Sequence, residues 1–357
     1  MNDSYLTPLV TITTEQPAIT PQCKLIPVTK NTTYALTSLY IVVCTVSLVA
    51  NTLVIRNALH RWRPKSPFEC LIINMATADI IDSLFAVPLW LAYIHVSLQW
   101  LPGKFGVFLC KLTYFAISTS ITVSVLTFSV IAVDRYLAIV SLTKKPLSSK
   151  AVKYSVTGIW MVAAAIFSTD LYITQVKVRR GQPICYQNLT LLGGKISKII
   201  TILKFLLGFM VPLLIMTALY SKILRFLYKW QIPGNQNEST SRLVQRYRKR
   251  TVKKLATLVI AFAVCWFPVH VFHFLGHFNR PVFFCIPLDW LLWVNWLAHT
   301  NSAINPCLYL FLSRQKRIHA KNESSSGQRL GRKRSRMLFH FTGSFSLRRL
   351  RSTDENI

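Results

Sequence analysis

A few polar side chains sit where an apolar chain should not keep them. Asp79, Asp82, Asn51, Asn301 and Asn305 lie inside long uncharged stretches, and Asp134-Arg135 closes another. Such groups are expensive in hydrocarbon and mark ion sites, proton paths or switches. Pro88, Pro212, Pro268 and Pro306 interrupt the same stretches, each freeing a backbone carbonyl and permitting a kink. A kinked bundle around buried carboxylates serves a transporter, a proton pump or a signalling switch. Catalysis finds less support. His270, His273 and His277 recur at helical spacing, but no Glu or Cys stands at ligand spacing, so no metal set or nucleophile–base pair emerges. The chain is not expected to be an enzyme.

The elements that must hold these groups are membrane spans. From Leu112 to Val133 no charged side chain occurs, and at about 1.5 Å per residue the run from Cys110 to Arg135 covers roughly 37 Å, nearly a bilayer with its headgroups. Its middle, 118–124, is rich in Ser and Thr, which suits a helix surrounded by other helices. Seven apolar segments are predicted, at 35–57, 68–94, 108–140, 152–174, 197–228, 251–276 and 287–312. The 357 residues are 52% hydrophobic and only 15% charged, as a membrane protein requires. Residues 1–34 read as an N-terminal tail and 35–312 as the bundle. Residues 313–321 read as an amphipathic surface helix and 322–357 as a basic disordered tail. The first 20 residues are polar, so the first span is expected to act as its own insertion signal.

Of 42 Lys and Arg, 31 fall on one side of these spans, which places the C-terminus in the cytoplasm and Met1 outside. The net charge of +30 is therefore a topology signal with attraction to anionic inner-leaflet lipids, not a nucleic-acid footprint. Glycosylation sequons at Asn2, Asn31 and Asn188 fall outside, as expected for a plasma-membrane protein. So do Cys23, Cys110, Cys185 and Cys285. Residues 176–185 alternate around Gly181 like a short hairpin, and a Cys110–Cys185 bridge would pin it over the bundle. Cys23 and Cys285 form the second candidate pair; free thiols are the alternative for both.

Several motifs together carry a resemblance. They are Asn51, Ala78-Asp79, Trp100-Leu101-Pro102-Gly103 before Cys110, Asp134-Arg135-Tyr136, Trp160, and Pro212 with Tyr220. Phe262, Cys265-Trp266-Phe267-Pro268 and Asn305-Pro306-Cys307-Leu308-Tyr309 complete them. In this order, over 34–317, the set resembles the rhodopsin-like (class A) family of G-protein-coupled receptors. The resemblance implies an all-α seven-transmembrane helix bundle followed by a short amphipathic helix. It implies signalling to a heterotrimeric G protein by outward movement of the sixth helix. Asp134, Arg135, Tyr136, Tyr220, Phe262, Trp266, Asn305, Pro306 and Tyr309 would carry activation. Asp79, Ser124, Asn301 and Ser302 would line a cavity for an allosteric sodium ion, and no other cofactor is implied. Arrestin and receptor kinases would meet Ser324, Ser325, Ser326, Ser344, Ser346, Ser352 and Thr353 in the tail. Many relatives restrain the Arg of the Asp-Arg-Tyr motif with an acid on the sixth helix. Residues 242–254 contain none, and Arg248 stands about where that acid would be.

Departures from subfamily patterns narrow the ligand. Ile117 occupies the place of the acid that monoamine receptors use, and no Lys for retinal occurs between 290 and 313. The N-terminal tail holds only Asp3 and Glu15, against the acidic tails of chemokine receptors. The remaining resemblance is to receptors for extracellular peptides, including neuropeptides. Thr113, Tyr114, Ile117, Trp266, His270, His273, Asn295 and His299 would form the pocket. Lys177, Arg179 and Arg180 make the hairpin basic, a hint of an acidic ligand offset by Asp170 and Asp289 at the rim. A lipid or small metabolite is the alternative ligand. A transporter or proton pump fits less well, since internal repeats are absent and only 12 glycines occur.

Overall fold

A computed structural model describes residues 28–59, 67–140, 146–179, 181–229 and 238–307. Six helices contain a stretch long and apolar enough to cross a membrane. They are α1 (Lys30–Leu59), α2 (Pro67–Val96), α3 (Gly103–Ile139), α4 (Ser149–Ile173), α5 (Gly194–Lys229) and α6 (Glu238–Phe278). A short α7 (Arg280–Cys285) leads to α8 (Leu288–His299), and helix resumes over 301–307 to complete the seventh span. Every expected segment is thus helical within the described residues. The amphipathic helix expected at 313–321, the tail sites at 322–357, and Asn2, Cys23 and Tyr309 lie outside them.

Local chemistry explains the irregularities. Pro212 lacks an N–H and its ring crowds the carbonyl four residues back, and α5 carries a π turn over Leu206–Met210 immediately before it. In the seventh span the backbone tightens at Thr300, whose carbonyl accepts from Ala303 N at 3.0 Å. Pro306 cannot donate to the Ser302 carbonyl. That oxygen is instead satisfied from α1, by Ser47 Oγ at 3.2 Å and Asn51 Nδ2 at 3.0 Å. The proline therefore ties α1 to the seventh span rather than only bending it.

The hydroxyl-rich middle of α3 is central as expected, with Thr119, Ser120, Thr122 and Ser124 all buried. Ile41, Val42, Met161, Leu214, Ile260 and Val264 point outward, as lipid-facing side chains of such a bundle do. The inner half packs around Phe128, Ile131, Met216, Ile223 and Leu258; the outer half around Leu36, Tyr40, Tyr93 and Leu292.

A two-stranded sheet closes the outer end. β1 (Thr174–Arg179) and β2 (Gln182–Gln187) pair antiparallel with Val176 opposite Cys185. Gly181 turns the chain at φ +78°, a conformation that costs glycine nothing. The Cys110–Cys185 disulfide joins the hairpin to α3, with the two Cα atoms 5.8 Å apart. The α2–α3 loop adds a second tether: Trp100 N donates to Pro183 O at 2.8 Å and Cys185 N to Leu98 O at 3.2 Å. Trp100 Nε1 also caps Gly106 O at 2.9 Å, and a Cβ at Gly106 would lie 1.8 Å from the Leu101 carbonyl oxygen. Cys285 is disulfide-bonded as well, while Cys23, its expected partner, lies outside the described residues.

Candidate functional site

The acids of α2 are three residues apart, so they share a face, and both are buried. Asp79 accepts from Ser124 Oγ on α3 and from Asn305 Nδ2 on the seventh span, each at 3.1 Å. The sequence placed Ser302 with Asp79; the structure turns it to Asp82, whose Oδ2 accepts the Ser302 hydroxyl at 2.8 Å. The tightened turn at Thr300 sets this rotation. Asn301 is buried nearby in sequence, and its Oδ1 has no protein donor.

Asp82 carries a further partner that sequence reasoning left out. His299 Nδ1 lies 3.2 Å from Asp82 Oδ2, and Trp90 Nε1 donates to His299 Nε2 at 3.0 Å. An indole nitrogen only donates, so His299 Nε2 must be an acceptor and the imidazole proton sits on Nδ1, pointing at Asp82. The His299 ring is 5.7 Å from that of Trp266 at 79°, an edge-to-face pair. One buried relay therefore joins α2 (Trp90, Asp82), α6 (Trp266) and the seventh span (His299, Ser302).

The donor set suits a hard cation. Asp82 Oδ1, Asn51 Oδ1, Asn301 Oδ1 and Asn305 Oδ1 are buried without a protein partner, and each is an oxygen acceptor. Among the described residues no Lys or Arg forms an ion pair with Asp79 or Asp82.

Around Trp266 the aromatic side chains form a continuous stack. Phe262 lies 6.5 Å from Trp266 and 5.6 Å from Phe209, and Phe209 lies 4.5 Å from His270. His270 and His273 follow at 6.2 Å. Of the other expected pocket residues, Tyr114 and Ile117 pack in the outer apolar cluster. Thr113 and Asn295 are buried and bond to their own helices, to Leu109 O at 2.8 Å and Leu291 O at 2.8 Å. Lys204 was missed by sequence reasoning: its ammonium bonds Asp170 on α4 at 2.5 Å, directly below the hairpin.

At the inner end Asp134 binds the neighbouring Arg135 guanidinium and also accepts from Leu147 N at 3.2 Å. Arg135 lies 4.7 Å from the Phe68 ring centroid. Tyr136 and Tyr220 pack in the inner core, and the Tyr220 hydroxyl is buried without a partner. Lys249 and Lys253 of α6 lie 4.7 and 6.0 Å from the Tyr228 ring of α5. Asn74 joins α3 and α4 by donating to Thr127 Oγ1 at 2.8 Å and accepting from Trp160 Nε1 at 2.9 Å. Of the sequons described, Asn31 is exposed in the first turn of α1, while Asn188 caps a 3₁₀ turn through Thr190.

Residues 50–309 match the family described as 7 transmembrane receptor (rhodopsin family). The chain belongs to the rhodopsin family of seven-transmembrane receptors. Within it, the substance-K receptor of Rattus norvegicus is 29% identical over 282 residues, covering 78% of this chain and 71% of the relative. The substance-K receptor of Homo sapiens is 28% identical over 281 residues, 78% of this chain and 69% of the relative. The galanin receptor type 1 of Homo sapiens is 28% identical over 258 residues, 70% of each chain. Membership of the rhodopsin family accounts for the bundle, the tethered hairpin and the motif positions together.

Proposed function

We propose that this receptor binds an extracellular peptide under the hairpin lid and passes the signal to a heterotrimeric G protein. The N-terminus lies outside the plasma membrane and the C-terminus in the cytoplasm. The observation that carries this reading is the relay from the outer opening to the inner acids. His270 stacks on Phe209, Phe209 on Phe262, and Phe262 neighbours Trp266, which meets His299 and through it Asp82. Pressure on the outer aromatics is thus transmitted to the Pro268 hinge of α6 and to the seventh span together. Relatives named for the peptides substance K and galanin support the ligand class.

Thr113, Tyr114, Ile117, Trp266, His270, His273, Asn295 and His299 line or support the ligand site. Outward swing of α6 frees Arg135 for the G protein, with Tyr136, Tyr220, Phe262, Asn305, Pro306 and Tyr309 in the activation set. Asp79, Ser124 and Asn301, joined by Asp82 with its Ser302 partner, would hold an allosteric sodium ion. Bound there, a sodium ion would balance the charge of the two buried carboxylates, Asp79 and Asp82, and would favour the closed bundle. Arrestin and receptor kinases act on the cytoplasmic tail, and its basic residues meet anionic inner-leaflet lipids. A peptide library screened by arrestin recruitment in cells tests the ligand class. Activation by peptides supports it; silence toward peptides with activation by a lipid or metabolite overturns it.

A further inference from the structure

Lys204 is a charged side chain in the outer part of a membrane span, where a lone ammonium is costly. It bonds Asp170 at 2.5 Å, and the two side chains are 18% and 3% exposed. Its ammonium also lies 5.2 Å from the Phe167 ring centroid. An ammonium has three N–H groups, and among the described residues only Asp170 accepts from this one. A buried ion pair adds little net stability over an apolar pair of the same size, so bundle stability does not explain its presence.

The surroundings point to the ligand side. Asp170 stands one turn before Thr174, where β1 begins, so the pair lies directly under the lid. The ring beside the ammonium is Phe167, and Phe205, next in sequence to Lys204, packs edge-on against His270 at 5.2 Å and Phe274 at 5.0 Å. Lys104, Lys111, Lys177, Arg179, Lys195 and Lys198 belong to the segments at the same end of the bundle, and the rim acid Asp289 accepts from Thr32 at 3.5 Å.

We infer that Lys204 is the anchor for a carboxylate on the ligand, held ready by Asp170, and that the ligand carries this carboxylate beside an aromatic side chain. This rests on the peptide-receptor reading of the outer opening and names the chemistry it accepts. The ammonium serves two carboxylates at once with its three donors. An amide in the same place brings no countercharge, and a ligand cation is repelled by Lys204 and the basic mouth.

The test uses the purified full chain in lipid nanodiscs, without G protein or arrestin. The probes are N-acetyl-Phe-Phe as the free acid and as its C-terminal amide, and the readout is thermal stabilisation. The acid stabilises and the amide does not, and Lys204→Gln removes the difference. Asp170→Asn lowers the half-saturating acid concentration by about tenfold, because the like charge that opposes the ligand carboxylate is gone while the amide oxygen still accepts from the ammonium. The double variant D170N/K204Q removes both charges together, controls for folding, and shows no acid preference. Equal responses to acid and amide, including none to either, overturn the inference. So does an Asp170→Asn variant that weakens acid binding as Lys204→Gln does, since the pair is then only a brace. Coupling does not enter this measurement; failure of the receptor reading appears in nucleotide loading instead.

Discussion

The Lys249 ammonium lies 4.7 Å from the Tyr228 ring centroid, joining α6 to α5 by a cation–π contact at the end of the bundle that carries Arg135. With no acid on α6 between 242 and 254, Arg135 is held by Asp134 and by the Phe68 ring, both outside α6. The closed state of α6 therefore leans on Tyr228. An exposed cation–π contact contributes about 0.5–1 kcal/mol. Removing it by Tyr228→Leu raises basal nucleotide exchange roughly two- to five-fold at matched surface expression. Lys249→Gln has a similar effect, and the double variant adds little to either single change.

Restoring an ionic restraint has the opposite sign. Arg248→Glu introduces an acid near the inner end of α6, and basal exchange falls. Unchanged basal activity in this variant would mean that packing around Phe262 alone holds the helix.

Sodium links to the buried acids. Replacing sodium by N-methylglucamine raises basal exchange in the wild type, and Asp79→Asn abolishes that response. Asp82→Asn weakens it, because one of the two carboxylates that call for a cation is gone. A sodium response that survives Asp79→Asn would place the ion elsewhere.

The His299 relay separates shape from charge. His299→Ala leaves the Trp90 N–H unpaired and removes a donor from Asp82, at a cost of roughly 2–4 kcal/mol. His299→Gln retains most of the stability, since an amide offers an acceptor and a donor on one carbon as the imidazole does. Thermal unfolding of the purified variants checks the order: wild type above Gln, Gln above Ala.

The lid depends on its bridge. Cys110→Ala or Cys185→Ala costs a few kcal/mol, about 2–5 by the behaviour of native disulfides, and lowers surface expression. The backbone bonds from Trp100 and Leu98 hold part of the hairpin register, so the loss falls on lid closure more than on the strands.

What was legible in the chain was local or periodic. The spans follow from uninterrupted apolar runs, the hairpin from alternation about Gly181, and the central place of α3 from its hydroxyl residues. What was not legible depends on how helices rotate against one another. Ser302 is set on Asp82 by the tight turn at Thr300, and nothing in residues 301–305 announces that turn. Lys204 meets Asp170, and Tyr228 meets Lys249, only once α4, α5 and α6 are packed side by side. Asp82 was visible as an intruding acid, but its partners His299 and Ser302 lie far along the chain, on the seventh span.

The central claim is that a peptide at the outer opening drives nucleotide exchange through Arg135 at the inner one. Loading of a radiolabelled GTP analogue on membranes bearing the full chain, challenged with peptide-library fractions, tests it most directly. The account predicts peptide-stimulated loading in the wild type and none in Arg135→Ala expressed to the same level. No stimulation by any fraction, or equal stimulation in the Arg135→Ala variant, would contradict it.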